Sequence, residues 1–223
     1  MLARQGHYVS VLFLNLLLPL SLHGQSADQG HDAPARNRIE VVGVATLADG
    51  SLEGTTVDRR LFLLGFAYSR LLTRNRAVEI SFTSEAIPLA LLREPFLSGT
   101  SFPVAASNPR FTEMRETYGA GASPVGIEMD WLPRKKIQPF FGVQGGFLYF
   151  DRNVLNFRAA QFNFTIDGRA GVRIELHQGK SISVAYMFQH MSNAYEATEN
   201  PGLDTHMICV TYRFPFRFRR RAH

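Results

Sequence analysis

A chain of 223 residues and 25.0 kDa is long enough for one domain with a short appendage. Its 19% charged and 45% hydrophobic residues, with a mean hydropathy of -0.07, make it too apolar for a disordered chain and too polar for a bundle of membrane helices. The single cysteine excludes a disulfide framework and the usual zinc sites, while a net charge of +5 calls for acidic neighbours, anionic lipid or nucleic acid.

In chain order, residues 1–26 read as a secretory signal peptide. Met1–Tyr8 carries Arg4 and no acid, Val9–Leu22 is apolar, and Gly24, Ser26 and Ala27 are small residues around the cut. The apolar run is shorter than the ~20 residues of a membrane helix. Residues 27–38 follow as a polar, mobile segment, and residues 39–218 as the folded domain. No later stretch is long and apolar enough for a membrane helix, so membrane residence must come from strands.

Those strands are read from alternation. Weaker candidates are Ile39–Leu47, Arg60–Ser69 and Gln138–Phe150. Val78, Ile80 and Phe82 oppose Glu79, Ser81 and Thr83; Val125, Ile127, Met129 and Trp131 oppose Gly126, Glu128 and Asp130. The clearest is Phe162–Leu176. Its even positions are Phe162, Phe164, Ile166, Gly168, Ala170, Val172, Ile174 and Leu176, and its odd positions include Asp167, Arg169, Arg173 and Glu175. Ile182, Val184, Tyr186 and Phe188 oppose Ser183 and Gln189, and Ile208, Val210, Tyr212, Phe214 and Phe216 oppose Cys209, Thr211 and Arg213. Strict alternation means a strand between two environments. Phe162–Leu176 is far longer than an ordinary strand of about 5–6 residues, whereas a tilted strand crossing a bilayer needs ~9–11.

The connections alternate between long (48–59, 86–122, 151–161, 193–203) and short (71–76, 133–137, 177–180). An even number of strands, with short turns at one end and long loops at the other, predicts an all-β fold. It is an eight-stranded antiparallel transmembrane β-barrel of the outer membrane, with both termini periplasmic. A soluble eight-stranded calyx shows the same alternation with its apolar face inward. Against it stand the charges of Phe162–Leu176 beside small Gly171, which suit a lumen of paired charges. Trp131, Tyr149, Tyr212 and Phe216 suit interfacial belts. Residues 219–223 form a basic tail.

Chemistry concentrates in Gln189–Asp204. His190 and Ser192 are two apart on a strand and share the lipid-facing side. Asp204 lies on the same face as Ile208 and Val210 of the next strand. A Ser, a His and an acid in reach of one another form a nucleophile relay: the imidazole takes the hydroxyl proton, and the carboxylate fixes the tautomer and steadies the imidazolium. The plain alternative is a pair of interfacial polar residues. His206 reads as interfacial, His177 as a solvated turn residue, and Cys209 as lumen packing. Arg134, Lys135 and Lys136 read as a solvated turn cluster, so no nucleic-acid partner is expected.

The stretch His190-Met191-Ser192-Asn193-Ala194, followed by Asn200, Gly202 and Asp204, resembles the lipid A 3-O-deacylase family. The segment from Ala122 to Trp131 and that from Ile137 to Phe150 look like the family's middle strands, and the resemblance covers roughly Tyr118–Phe216. It implies an outer-membrane esterase that removes the ester-linked acyl chain at the 3 position of lipid A, within the outer leaflet of a Gram-negative-type bacterium. Ser192 would then be the nucleophile, His190 the base and Asp204 the orienting acid. Asn200 would help hold the oxyanion, with Asn193 and Gly202 as support. No metal or cofactor is implied, and the partners are lipopolysaccharide and outer-membrane lipid. There are two departures. Asp204 stands where the best-known members have Glu, leaving Glu196 and Glu199 as substitutes. Tyr195 stands where a Gly supplies a backbone oxyanion donor. The rival functions are a phospholipase with the same relay, and a non-catalytic structural or adhesive barrel. A homodimer stays open.

Overall fold

A computed structural model describes residues 36–50 and 52–216. Eight strands run through them: β1 Asn37–Asp49, β2 Arg60–Arg74, β3 Val78–Leu97, β4 Thr112–Trp131, β5 Ile137–Phe150, β6 Phe162–Glu175, β7 Ser181–Ser192 and β8 Leu203–Phe216. Each pairs antiparallel with its neighbours, and β1 pairs with β8, closing the barrel. Closure leaves no unpaired sheet edge, the condition for a β-structure to sit in lipid. The signal-peptide and basic-tail assignments (1–26 and 219–223) lie outside the described residues. Asn37 and Arg38, expected in the leading segment, belong to β1 and pair with Phe216 and Pro215.

Period-2 alternation produces the two surfaces. Outward positions carry Phe66, Ile127, Phe141, Val143, Ile166, Val172, Val184 and Val210, all exposed, as an apolar band must be. Inward positions are buried and fall into two tiers. Toward the short-turn end lie charges. Arg213 contacts Glu128 at 2.6 Å and Glu40 at 2.7 Å, Arg173 contacts Glu128 at 3.0 Å and also Asp130, and Arg169 contacts Glu85 at 3.2 Å and Asp167 at 3.3 Å. The expected inward pairing of Asp167, Arg169 and Arg173 is observed. Glu175 departs from it: it lines the short-turn mouth with Arg74, Lys135 and Lys136 and forms no ion pair among the described residues. Toward the long-loop end the inward face is apolar, with Leu61, Leu63, Leu92, Leu148, Phe150, Met187, Met191 and Met207 closed over by Val154 and Leu155 of the β5–β6 loop. The lumen is therefore filled, and no lipid can enter it.

One expectation is corrected. The predicted loop 86–122 is mostly strand. β3 continues to Leu97 and β4 begins at Thr112, leaving only residues 98–111 as the connection. The outward apolar faces of β2 and β3 end at Arg60 and Arg93, which face one another in register. Beyond them β3 and β4 rise clear of the apolar band as a two-stranded arm.

Arg59, fully buried, ties the long-loop end together. Its guanidinium donates to the carbonyls of Val57, Val104, Ala105 and Leu155. Beside it, in the arm, the Glu94 carboxylate accepts from Leu155 N at 2.7 Å and from Thr117. Burial pushes the Glu94 carboxyl up to about 7, against the opposing pull of those hydrogen bonds and of Arg59.

Candidate active site

β7 and β8 carry the site. Their ladder pairs His190 with Asp204, and β6 places Ile166 beside His190 and Phe164 beside Ser192. On the outward face, His190 Nδ1 lies 2.6 Å from Asp204 Oδ1. With Nδ1 donating to the carboxylate, Nε2 is the basic nitrogen. Ser192 is two residues on, on the same face and half-buried. No hydrogen bond joins Ser192 to His190 among the described residues. His190 and Asp204 line a shallow outward groove of about 180 Å³ with Leu52, Glu53, Ile166 and Phe188.

Asp204 is wholly buried although it opens a strand, because the β1–β2 loop folds over it. Its second oxygen, Oδ2, accepts from Glu53 N at 2.6 Å and Gly54 N at 2.9 Å. Gly50 N donates to the Asp204 carbonyl at 2.8 Å. The loop is stapled further along: Thr55 N donates to the Pro201 carbonyl at 2.8 Å, and the Thr56 hydroxyl to that of Gly202. Asp49 holds its far end, accepting from Asp58 N at 2.6 Å. Glycine is required where the two loops touch. A Cβ on Gly54 would stand 2.6 Å from Asp204 N, and one on Gly50 2.9 Å from Asp204 Cβ. Neither Glu53 nor Gly54 was foreseen from sequence, since they act through backbone N–H groups that carry no side-chain signature.

The β7–β8 loop is organised by Asn193, which is buried. Its Nδ2 donates to the Glu199 carbonyl at 2.8 Å, its Oδ1 accepts from Tyr195 N at 3.0 Å, and its own N–H donates to Asn200 Oδ1 at 2.9 Å. Asn193 therefore braces the loop, and the Nδ2 group of Asn200 remains as a donor. Ala194 and Tyr195 both sit in the left-handed region, with φ of 51° and 64°. With its N–H engaged by Asn193, Tyr195 offers no backbone donor to a substrate. Gly202 has φ of 61°, and a Cβ there would lie 3.4 Å from His190 Cε1. Its lack of a side chain lets the loop close over the imidazole.

The substitute acids are engaged elsewhere or distant. Glu199 binds Asn156 Nδ2 at 2.5 Å and Arg158, and Glu196 is exposed. His206, on the same outward face, hydrogen-bonds Tyr186 and packs its ring against Phe188. Cys209 is buried in the lumen.

A closed, plugged antiparallel barrel with an apolar outer wall defines an outer-membrane β-barrel protein, and this one carries an imidazole–carboxylate pair on that wall. The family model for lipid A 3-O-deacylase (PagL) matches residues 90–213, more than half of the chain, and the chain belongs to that family. Among solved structures, that of the outer membrane enzyme PagL is similar at a TM-score of 0.53 and 15% identity, covering 79% of this chain and 99% of the other. Neisserial surface protein A is similar at a TM-score of 0.48 and 9% identity, covering 83% and 100%. The outer membrane protein OprG from Pseudomonas aeruginosa is similar at 0.47 and 13%, covering 81% and 97%. Among curated proteins none matches.

Proposed function

We propose that this protein is an outer-membrane serine esterase that hydrolyses the acyl ester at the 3 position of lipid A, working laterally in the outer leaflet. The observation that carries this reading is the His190–Asp204 hydrogen bond on the outward wall, its carboxylate clamped from the other side by the N–H groups of Glu53 and Gly54. Nothing in a surface polar pair requires such a clamp, whereas a relay acid must be ionised and oriented.

Ser192 Oγ attacks the ester carbonyl carbon while His190 Nε2 takes its proton. Asp204 holds the imidazole through Nδ1 and stabilises the imidazolium. Asn200 Nδ2 donates to the developing oxyanion. Collapse breaks the bond to the sugar oxygen, which leaves with the proton returned from His190. Water, activated by the same imidazole, then cleaves the acyl-serine and frees the fatty acid. The acyl chain lies along Ile166 and Phe188, and the sugar headgroup meets the long loops.

The test is mass spectrometry of lipid A treated with purified protein in detergent. Loss of one hydroxy-fatty acid from the 3 position, abolished in Ser192→Ala and in His190→Ala, is expected. Release from glycerophospholipid alone would make the enzyme a phospholipase, and release from neither would leave a structural barrel.

A further inference from the structure

Around the outer wall from the relay, β2 and β3 carry an arrangement the catalytic reading does not use. Arg60 and Arg93 are direct register partners, both outward and exposed. Like charges placed opposite one another across a ladder repel. Arg60 donates to the Leu47 carbonyl at 3.2 Å, and Arg93 has no hydrogen bond or ion pair among the described residues. Among the described residues lining the groove below the pair, the carboxylate is Glu116 on β4, in register with Arg93, which leaves one positive charge over. The pair crowns a groove of about 220 Å³ whose floor is Ala45, Phe62 and Leu91. Apolar floor below and paired guanidinium groups above match a lipid headgroup that carries a phosphate, since guanidinium binds phosphate in a bidentate manner.

Position matters as much as composition. β2 is three strands from β7, about 14 Å around the wall at ~4.8 Å per strand. On the same β7–β8 pair, some four residues from His190 toward the short-turn end and reaching β1, lies a further apolar groove of about 170 Å³, lined by Leu47, Val184, Tyr186 and Ile208. Three shallow grooves thus form a stepped series on the outer wall, from the relay, down β7 and β8, and across β1 to the arginines. A lipid with several acyl chains and a phosphate at one end of a broad headgroup spans that series; a lipid with a single narrow headgroup does not.

We propose that Arg60 and Arg93 clamp a phosphate on the headgroup of the lipid substrate, while one of its acyl chains occupies the groove over Phe62 and Leu91. The identity of that lipid rests on the deacylase reading above, but the clamp is tested without turnover. Full-length Ser192→Ala protein in detergent is titrated with lipid A and with lipid A stripped of its phosphates. The phosphorylated form should bind about a hundredfold tighter, and R60Q and R93Q should each reduce that preference about tenfold, a charged hydrogen bond each. The double variant should bind both forms equally, with unchanged affinity for the stripped one and an unchanged heat-modifiable band on gels. Millimolar inorganic phosphate should not displace the lipid, because the apolar floor holds the chain. Equal binding of both forms by the Ser192→Ala protein, a preference surviving in the double variant, or displacement by inorganic phosphate would each overturn the proposal. A clamp seen here with no deacylation by the wild type would leave the clamp standing and remove the esterase.

Discussion

His190 and Asp204 are joined twice: as register partners of β7 and β8, and through an Nδ1–Oδ1 contact of 2.6 Å. Directly opposed residues of an antiparallel pair hold their Cβ atoms about 4.5–5.5 Å apart. An aspartate therefore reaches the imidazole without the extra methylene of a glutamate. Asp204→Asn should lower kcat by about 10³–10⁴, because the amide can present N–H to Nδ1 and favour the wrong tautomer. Glu196→Gln, at an exposed position, and Glu199→Gln, whose ion pair with Arg158 is a surface one, should stay within about twofold. Steady-state release of fatty acid from lipid A is the measurement; full activity in Asp204→Asn would remove the acid from the relay.

Gly54→Ala probes the clamp rather than the relay. Its Cβ would collide with backbone, at 2.6 Å from Asp204 N, so the loop must lift and withdraw two N–H donors from the carboxylate. Removing preorganised donors of this kind typically costs ~10²-fold or more in rate when they hold a reacting charge; acting one residue removed, the expected loss in kcat is about tenfold to a hundredfold. The barrel should remain heat-modifiable on gels, since Gly54 lies outside every strand.

The lumen charges stand or fall together. Glu128 serves both Arg173 and Arg213, so Glu128→Gln leaves two buried guanidinium groups short of a counter-charge. Breaking a buried pair from one side costs about 3–5 kcal/mol, read as a lower urea midpoint for unfolding from lipid vesicles. On the opposite face, Val172→Arg places a charge in lipid and should cost ~2–4 kcal/mol. A harmless Val172→Arg would mean the wall had been turned inside out.

Glu94 should make the long-loop end sensitive to pH. Its carboxyl is pushed up from 4.5 to about 7 in the folded protein by burial. The folded state thus holds the proton more tightly than the unfolded state. Its contribution to stability is full below about 4.5 and is lost as pH rises through about 7. Proteolytic nicking of the β5–β6 loop, which Glu94 holds through Leu155 N, should speed up between pH 5 and pH 8. Glu94→Gln should flatten that dependence, and an unchanged profile in the variant would assign the effect to another group.

The period-2 pattern by itself determined the eight strands, the outward and inward faces of β6, β7 and β8, and the shared face of His190, Ser192 and Asp204. Alternation is local, and a strand between lipid and lumen imposes it residue by residue. The pattern failed where both faces meet apolar surroundings. Along Leu89–Leu92 the inward Ala90 and Leu92 pack beneath Val154 and Leu155 while outward Leu89 and Leu91 flank the apolar band, so alternation is lost there and the stretch carries no strand signal. Only the tertiary structure decided how the acid is held. Glu53 and Gly54 lie some 150 residues from Asp204 and act through main-chain donors, which every residue but proline possesses. For the same reason, the opposition of Arg60 to Arg93 became visible only in the register of β2 and β3, because a single residue's slip would have turned one of them into the lumen.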